Sequence, residues 1–523
     1  MKILFVTSNG TGLGHLTRSM AIARRLDDAD EALFVTFSAA APVVRGLGFP
    51  VEYLASYDRP GSGDDWRWTR RTRDRLEGLV GEIDPGVVMF DGTHPYERLL
   101  PALRASGAPL VWCRRAMWRA EADAAPLWRS HLFDAVLEPG ELAAGVDSGP
   151  TVAWRDGARA VDPIVLLDRP ELLPRAEAER ELGLEPGRTN ALVQLGQGEG
   201  VREANRRCLR HLAARGDVQV AALASALASV DGVPDGVVGL EATYPISRYL
   251  AAFDVAVAAA GYNAYHELIH LRVPSLFVPM PRQTDDQAGR ARHAEERGVG
   301  LAASGPDDPA LEEKLDALVE PGARRATAER LGSLDLGNGA AAAADWLTAI
   351  ARSAAAAGGS APGGARGGAP APPDPPIVAR RAWIFVSSVP RTLVRLGRQL
   401  LTRPRPRTLV VALGLGAEEL RRELGLALEG AGERPERTLV VTDGYDFSPL
   451  LAAGVGFERL PAPGDRLAEI AAKPYDQLVG ERLRSILAGR PRPRRVLFLG
   501  DPPPAATQAL RELGAGGSSG AVI

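Results

Sequence analysis

Two glycine-bearing strings and one carboxylate carry the residue types that chemistry needs. The first, SNGTGLGHLTRSM, follows an apolar run at Ile3 to Thr7 and sets Gly10, Gly12 and Gly14 ahead of His15 and a helical pattern from Leu16. Glycines that open a helix let backbone N–H groups and the positive helix end approach an anionic or sugar ligand closely. An imidazole placed there suits removal of a hydroxyl proton near neutral pH. The alternative for the same residues is a tight turn with His15 capping the helix. The spacing is neither the GxGxxG of a dinucleotide site nor a P-loop, which lacks its Lys-Ser/Thr here.

The second string runs from Phe253 to Gly300. A buried strand at Val255 to Ala258 leads to Gly261, Tyr262 and Asn263 at a helix start, with Glu267 one turn further on. That arrangement presents N–H donors to a diphosphate and a carboxylate to ribose hydroxyls. A strand at Ser275 to Val278 then leads to Asp286 and Gln287, which can exchange hydrogen bonds with sugar hydroxyls. Asp91 ends a strand at Val87 to Phe90, so it should emerge at the same carboxyl edge as the first glycine loop and orient His15; a turn-initiating residue before Gly92 is the competing reading. His94 is a second candidate base, a ligand contact or a plain loop histidine. Arg114, Arg115 and Arg119 could grip a phosphorylated acceptor or form a solvated helix face. The pairs Asp64-Asp65 and Asp285-Asp286 lack DxD spacing, and no metal is expected.

These groups need a scaffold, and 523 residues are enough for about three domains. Hydrophobic residues make up 45% and charged residues 24%, the balance of a globular protein rather than a disordered or fibrous one. A net charge of -3, from 62 basic and 65 acidic residues, offers no whole-chain field for nucleic acid, so any anion site is local. Cys113 and Cys208 form no CxxC and exclude a disulfide framework. The apolar start is too short for a signal peptide, and no uncharged run reaches the roughly 18 residues of a membrane span, so the expected location is the cytoplasm.

Short apolar runs alternate with helical patterns, which argues for βαβ units and parallel sheets. The expected domains are 1–165, a Rossmann-like α/β domain; 166–352, a second α/β domain; 353–379, a Gly/Ala/Pro-rich linker; and 380–523, an accessory α/β domain. A gapless shift of 406 aligns Ile3 with Leu409, LFVTF at Leu33 with LVVTD at Leu439, and Gly48 with Gly454. The last domain therefore reads either as a degenerate repeat of the first or as chance agreement between βα patterns. Under that shift Arg421 replaces His15, so binding, regulation or dimerisation is expected of it rather than catalysis. The basic stretch from Arg391, with Leu393, Leu396 and Leu400 on one face, reads as a core-facing helix or as one lying on an anionic membrane surface.

The string Gly261-Tyr262-Asn263-Ala264-Tyr265-His266-Glu267, followed by Asp286-Gln287, resembles the nucleotide-sugar signature of GT-B glycosyltransferases. It is similar to the UDP-glycosyltransferases and to the MurG-type N-acetylglucosaminyltransferases of family 28, whose GGTGGH loop Gly10 to His15 also resembles. The resemblance spans about residues 1 to 350. It implies two Rossmann-like domains facing a cleft, with 1–165 as the acceptor domain and 166–352 as the nucleotide-sugar donor domain, and an inverting, metal-independent transfer from a nucleotide sugar, with UDP favoured and dTDP or GDP open. No cofactor is implied.

By position, His15 with Asp91 would be catalytic. Gly196, Gln197, Gly198, Gly261, Tyr262, Asn263, Glu267, Asp286 and Gln287 would bind the donor, and Gly12, Gly14, His94, Arg114 and Arg115 the acceptor. The expected acceptor is a lipid-linked, cell-envelope or secondary-metabolite hydroxyl, with peripheral contact at the inner membrane face. One departure stands out: Ala259 occupies the place of the phosphate-contacting histidine in the plant-type motif. A nucleotide-sugar 2-epimerase and a non-catalytic sugar-nucleotide scaffold are the alternatives.

Overall fold

The computed structural model describes residues 1–8, 13–60, 62, 65–196, 199–223, 234–240, 243–356, 406–432, 434–488, 490–500 and 504–512. Gly12, Gln197, Gly198 and the basic stretch from Arg391 lie outside these residues.

The first lobe holds β1 (Lys2–Thr7), α1 (Gly14–Ala23), β2 (Glu31–Thr36), α2 (Ala41–Gly46), β3 (Val51–Tyr53), α3 (Asp65–Ile83), β4 (Val87–Asp91), α4 (Leu100–Leu103), β5 (Leu110–Cys113), β6 (Ala135–Pro139) and β7 (Arg159–Val161). Its strands form one parallel sheet in the order β3-β2-β1-β4-β5-β6-β7. The central strands are apolar on both faces because helices cover both. Ile3 and Phe5 pack with Leu16 and Met20 of α1, whereas Leu4 and Val6 pack with Leu76 and Val80 of α3. Pairing of β1 with β4 sets Thr7 opposite Asp91, so the loop before His15 and the Asp91 carboxylate leave the sheet at one edge.

The second lobe contains α5 (Arg175–Leu182), β8 (Thr189–Gln194), α6 (Glu199–Ala213), β9 (Val218–Leu223), β10 (Val237–Leu240), β11 (Val255–Ala259), α7 (Tyr262–His270), β12 (Ser275–Val278), α8 (Gln287–Glu296), β13 (Leu301–Ala302), α9 (Leu311–Val319) and α10 (Pro321–Gly332). Its parallel sheet runs β10-β9-β8-β11-β12-β13. Two Rossmann-like lobes that meet at their carboxyl edges constitute the expected GT-B arrangement.

The helix α11 (Ala340–Ala356) departs from the expected boundaries in two ways. It continues through Ser353 to Ala356, where a linker was expected to begin. It also packs on the first lobe, with Ala340, Ala343, Ala344, Leu347 and Ala351 in the core of Ile3, Phe5 and Met20. The cause is an apolar stripe at helical spacing, which small side chains let approach the sheet closely.

The third domain forms β14 (Thr408–Ala412), β15 (Thr438–Thr442), β16 (Gly456–Arg459) and β17 (Arg495–Leu499), in the order β16-β15-β14-β17. This repeats the order of the first four strands of the chain. Gly48 and Gly454, aligned by the shift of 406, both take left-handed backbone, with φ of 87° and 67°. The domain docks on the β3 edge, where the Tyr53 ring lies 5.1 Å from Phe447 and 5.3 Å from Phe457. A buried charge chain crosses the same boundary, with Arg75 joining Glu52 at 3.2 Å to Glu458 at 2.6 Å. Arg421, the counterpart of His15, is exposed and pairs with Glu418. No helix among the described residues is long and apolar enough to cross a membrane.

Candidate active site

His15 and Asp91 come together as expected. His15 Nδ1 lies 2.7 Å from Asp91 Oδ1, and Asp91 is fully buried. A carboxylate can only accept, so Nδ1 carries the ring proton and Nε2 is left as the accepting nitrogen. Burial holds His15 below the ordinary histidine value, against the raising effect of Asp91, and Arg18 and Arg115 add to the lowering. Burial opposes charge on Asp91 as well, yet its carboxyl is held below the usual range by Arg18 and His15. The imidazole is therefore neutral at physiological pH and the carboxylate charged, the states a general base and its orienting partner require.

Opposite this pair, α7 begins at Tyr262 after the N-cap Gly261, and no side chain caps it. The first helical bond is donated by Tyr265 N to Gly261 O at 3.0 Å, so the amides of Tyr262, Asn263 and Ala264 have no partner within the helix. The α1 N-terminus likewise has no side-chain cap. The two helix starts adjoin: Asn263 Nδ2 donates to Gly14 O at 3.3 Å, while Asn263 Oδ1 is buried without a hydrogen-bond partner. Two positive helix ends and an unused acceptor beside a neutral imidazole form a site suited to a polyhydroxylated anion. Glu267 stands one turn along α7, where burial raises its carboxyl to about 7 against hydrogen bonds from the Leu166 backbone and Ser247.

Several expected contacts are committed elsewhere. The Tyr262 hydroxyl donates to Gly140 O and accepts from Ile164 N, each at 3.0 Å, so only its backbone remains for a ligand. Asp286 caps α8 by accepting from Gly289 N at 2.9 Å. Gly289 must be glycine there, because a Cβ would lie 2.5 Å from that carboxylate and 2.9 Å from the Met117 methyl. Gln287 accepts from Met280 N at 2.9 Å and donates to Asp285 Oδ2 at 3.2 Å. Both residues therefore shape the loop after β12. Gly196 takes φ 85°, a turn that favours glycine, and Gly14 starts α1 with open space where a Cβ would stand.

The acceptor expectations need correction at the arginines. Arg114 does not face the cleft: it is 1% exposed, donates to Glu138 Oε2 at 2.7 Å and to Trp154 O at 2.9 Å, and braces the first lobe. It follows β5 and points inward because a buried carboxylate on β6 requires a partner. Arg115 Nη1 instead donates across the lobes to Asp285 Oδ1 at 2.9 Å. His94 is exposed, with its ring edge-on to Trp118 at 5.8 Å between centroids.

Arg290 and Glu141, central to the contact that closes the lobes on one another, were not singled out in the sequence. Arg290, fully buried, donates to Glu141 Oε2 and Asp285 Oδ1, each at 2.8 Å. His266 Nε2 lies 3.0 Å from Glu141 Oε1. A short antiparallel bridge pairs Trp118 with Asp285, flanked by Asp286 N donating to Met117 O at 2.9 Å and Arg119 N donating to Thr284 O at 2.7 Å. Arg18 was also missed, although its place three residues after His15 puts both on one helix face.

A UDP-N-acetylglucosamine--N-acetylmuramyl-(pentapeptide) pyrophosphoryl-undecaprenol N-acetylglucosamine transferase of Nocardia farcinica is 28% identical over 322 residues, covering 56% of this chain and 81% of that protein. The protein of the same name from Mycobacterium tuberculosis is 28% identical over 389 residues, covering 66% of this chain and 88% of its own. The chain resembles these transferases. No protein-family model matches it. Among solved structures, MurG of Acinetobacter baumannii aligns at a TM-score of 0.45 and 14% identity, over 67% of this chain and 100% of that one. The spinosyn forosaminyltransferase SpnP aligns at 0.47 and 19%, over 67% and 99%.

Proposed function

We propose that the protein is an inverting glycosyltransferase that moves a sugar from a UDP-linked donor to an acceptor hydroxyl. The observation that carries this reading is the apposition of the His15–Asp91 pair, its carboxylate buried and its imidazole partly exposed, with the uncapped start of α7. His15 Nε2 takes the acceptor proton as that oxygen attacks the anomeric carbon. The bond from that carbon to the diphosphate breaks on the opposite face, and the departing charge is met by the amides of Tyr262, Asn263 and Ala264. Glu267 would engage the ribose hydroxyls, its raised carboxyl allowing it to donate as well as accept. Gly196, Gln197 and Gly198 would lie against the donor, Asp286 and Gln287 would shape the loop beside its sugar, and Gly12, Gly14, His94 and Arg115 would border the acceptor side.

The pyrophosphoryl-undecaprenol in the relatives' name favours a lipid-linked acceptor, which this chain would meet at the inner membrane face. The absent phosphate-binding histidine at Ala259 leaves the diphosphate to backbone donors. The reading is tested with UDP-sugars: a donor should raise the unfolding temperature, Glu267→Ala should abolish that protection, and transfer should require an added acceptor. Release of an altered UDP-sugar without acceptor would point to epimerisation, and protection without any turnover to a scaffold.

A further inference from the structure

Arg18 is 1% exposed, yet no part of the transfer scheme above uses it. It sits on α1 three residues after His15. Its Nε donates to Asp91 Oδ2 at 2.9 Å and its Nη2 to Asp91 Oδ1 at 2.5 Å, a two-pronged grip on the carboxylate that orients the imidazole. On its other side the guanidinium lies 5.3 Å from the ring centroid of Tyr262, the first residue of α7 in the second lobe. One side chain thus touches both the carboxylate behind the base and the helix opposite it.

We propose that Arg18 is a positioning residue for the transfer, fixing both oxygens of Asp91 so that His15 stays neutral, correctly rotated and in register with the donor lobe. This rests on the transferase reading for its catalytic meaning, though not for its structural part. An isolated Asp91 carboxylate beside His15 would draw a second proton onto the ring and yield an imidazolium, which cannot act as a base. Arg18 offsets that charge, and with its Nη2 3.3 Å from the protonated Nδ1 it disfavours a second proton on the ring, at Nε2.

The other groups facing His15 do not replace it. Arg115, beyond β5, acts in the same direction but is paired with Asp285. Asn263 and Tyr262, which reach α1 from α7, are uncharged; the Cys113 thiol on β5, beside Asp91 and Arg18, is pushed up by burial and stays neutral; and α11 packs Ala340, Ala343, Ala344 and Leu347 into the core with Leu16 and Met20 of α1. Lysine at position 18 would retain a charge but not the fork.

The test is an NMR titration of ¹³C-labelled histidines in the full-length protein and in Arg18→Gln and Arg18→Lys, with the His15 signal assigned by its loss in His15→Gln. It is paired with the pH profile of kcat/KM for transfer. Loss of the opposing charge should increase the proton affinity of His15 about tenfold or more in Arg18→Gln, with Arg18→Lys intermediate. The acid limb of kcat/KM should move upward in parallel. Arg18→Lys preserves the buried charge, so it supplies the comparison if Arg18→Gln does not fold. An unmoved His15 titration in a folded variant overturns the proposal. A His15 titration that moves while the acid limb stays still upholds the hold of Arg18 on the ring and overturns His15 as the base.

Discussion

Replacing Arg290 with methionine probes the contact that closes the two lobes. The guanidinium is fully buried and bonds Glu141 and Asp285 at 2.8 Å each, with Ala260 O at 3.4 Å. Methionine would fill much of the volume but leave two carboxylates facing one another's surroundings without their shared cation. Breaking a buried pair from one side costs about 3–5 kcal/mol. Glu141 keeps His266 at 3.0 Å and Asp285 keeps Arg115 at 2.9 Å, so the lower end, about 3 kcal/mol, is expected. At about 2 °C per kcal/mol for a lobe of this size, calorimetry should show the transition falling by about 6 °C.

The pH dependence has a definite sign. Burial opposes the Glu141 charge, but Arg290 and His266 hold its carboxyl down at about 2 against an ordinary 4.5. That stabilisation is complete above about pH 4.5 and is lost as pH falls toward about 2, so the gap between parent and variant should narrow on acidification. Adding Glu141→Gln to Arg290→Met should recover part of the loss, because one stranded charge is gone. A loss within about 0.5 kcal/mol of the parent, the range of a surface substitution, would refute the reasoning.

Other consequences are equally open to measurement. His15→Ala should lower the transfer rate by about 10²–10⁴-fold while leaving thermal protection by UDP-sugar in place; a rate within a few-fold of the parent removes it as the base. The raised Glu267 carboxyl, at about 7 against 4.5, implies stability that is full below about pH 4.5 and declines as pH rises through about 7. Glu267→Gln should flatten that decline in denaturation curves measured across the interval, and an unchanged slope would contradict the assignment. Phe457→Ala, which empties the stack on Tyr53, should cost about 3 kcal/mol and increase proteolytic cleavage within 406–512 without altering donor protection.

Much of the scaffold could be read from the chain itself because its signals are local. Apolar runs such as Ile3 to Thr7 and Ser275 to Val278 become strands within a residue or so. The carboxyl-edge rule for parallel sheets sufficed to bring Asp91 to His15 across 76 positions. Features that depend on distant partners were not legible. Arg114 reads like its neighbour Arg115, and only Glu138 on the adjacent strand decides that one turns inward while the other reaches Asp285. Arg290 meets Glu141 across 149 positions with no spacing to announce it. Residues 353–356 read as the start of the linker, yet they close α11, whose stripe of small residues packs on the first lobe. The repeated strand order of the third domain was visible as a shift of 406, whereas its docking on β3 depends on Tyr53, Phe447 and Phe457 meeting in space.

The most direct measurement is a crystal structure with UDP bound. Diphosphate oxygens should lie about 3 Å from the amides opening α7, with uracil and ribose on the second-lobe side near Glu267 and the His15 ring across the gap. A nucleotide seated away from α7, or an imidazole turned from it, would contradict the account.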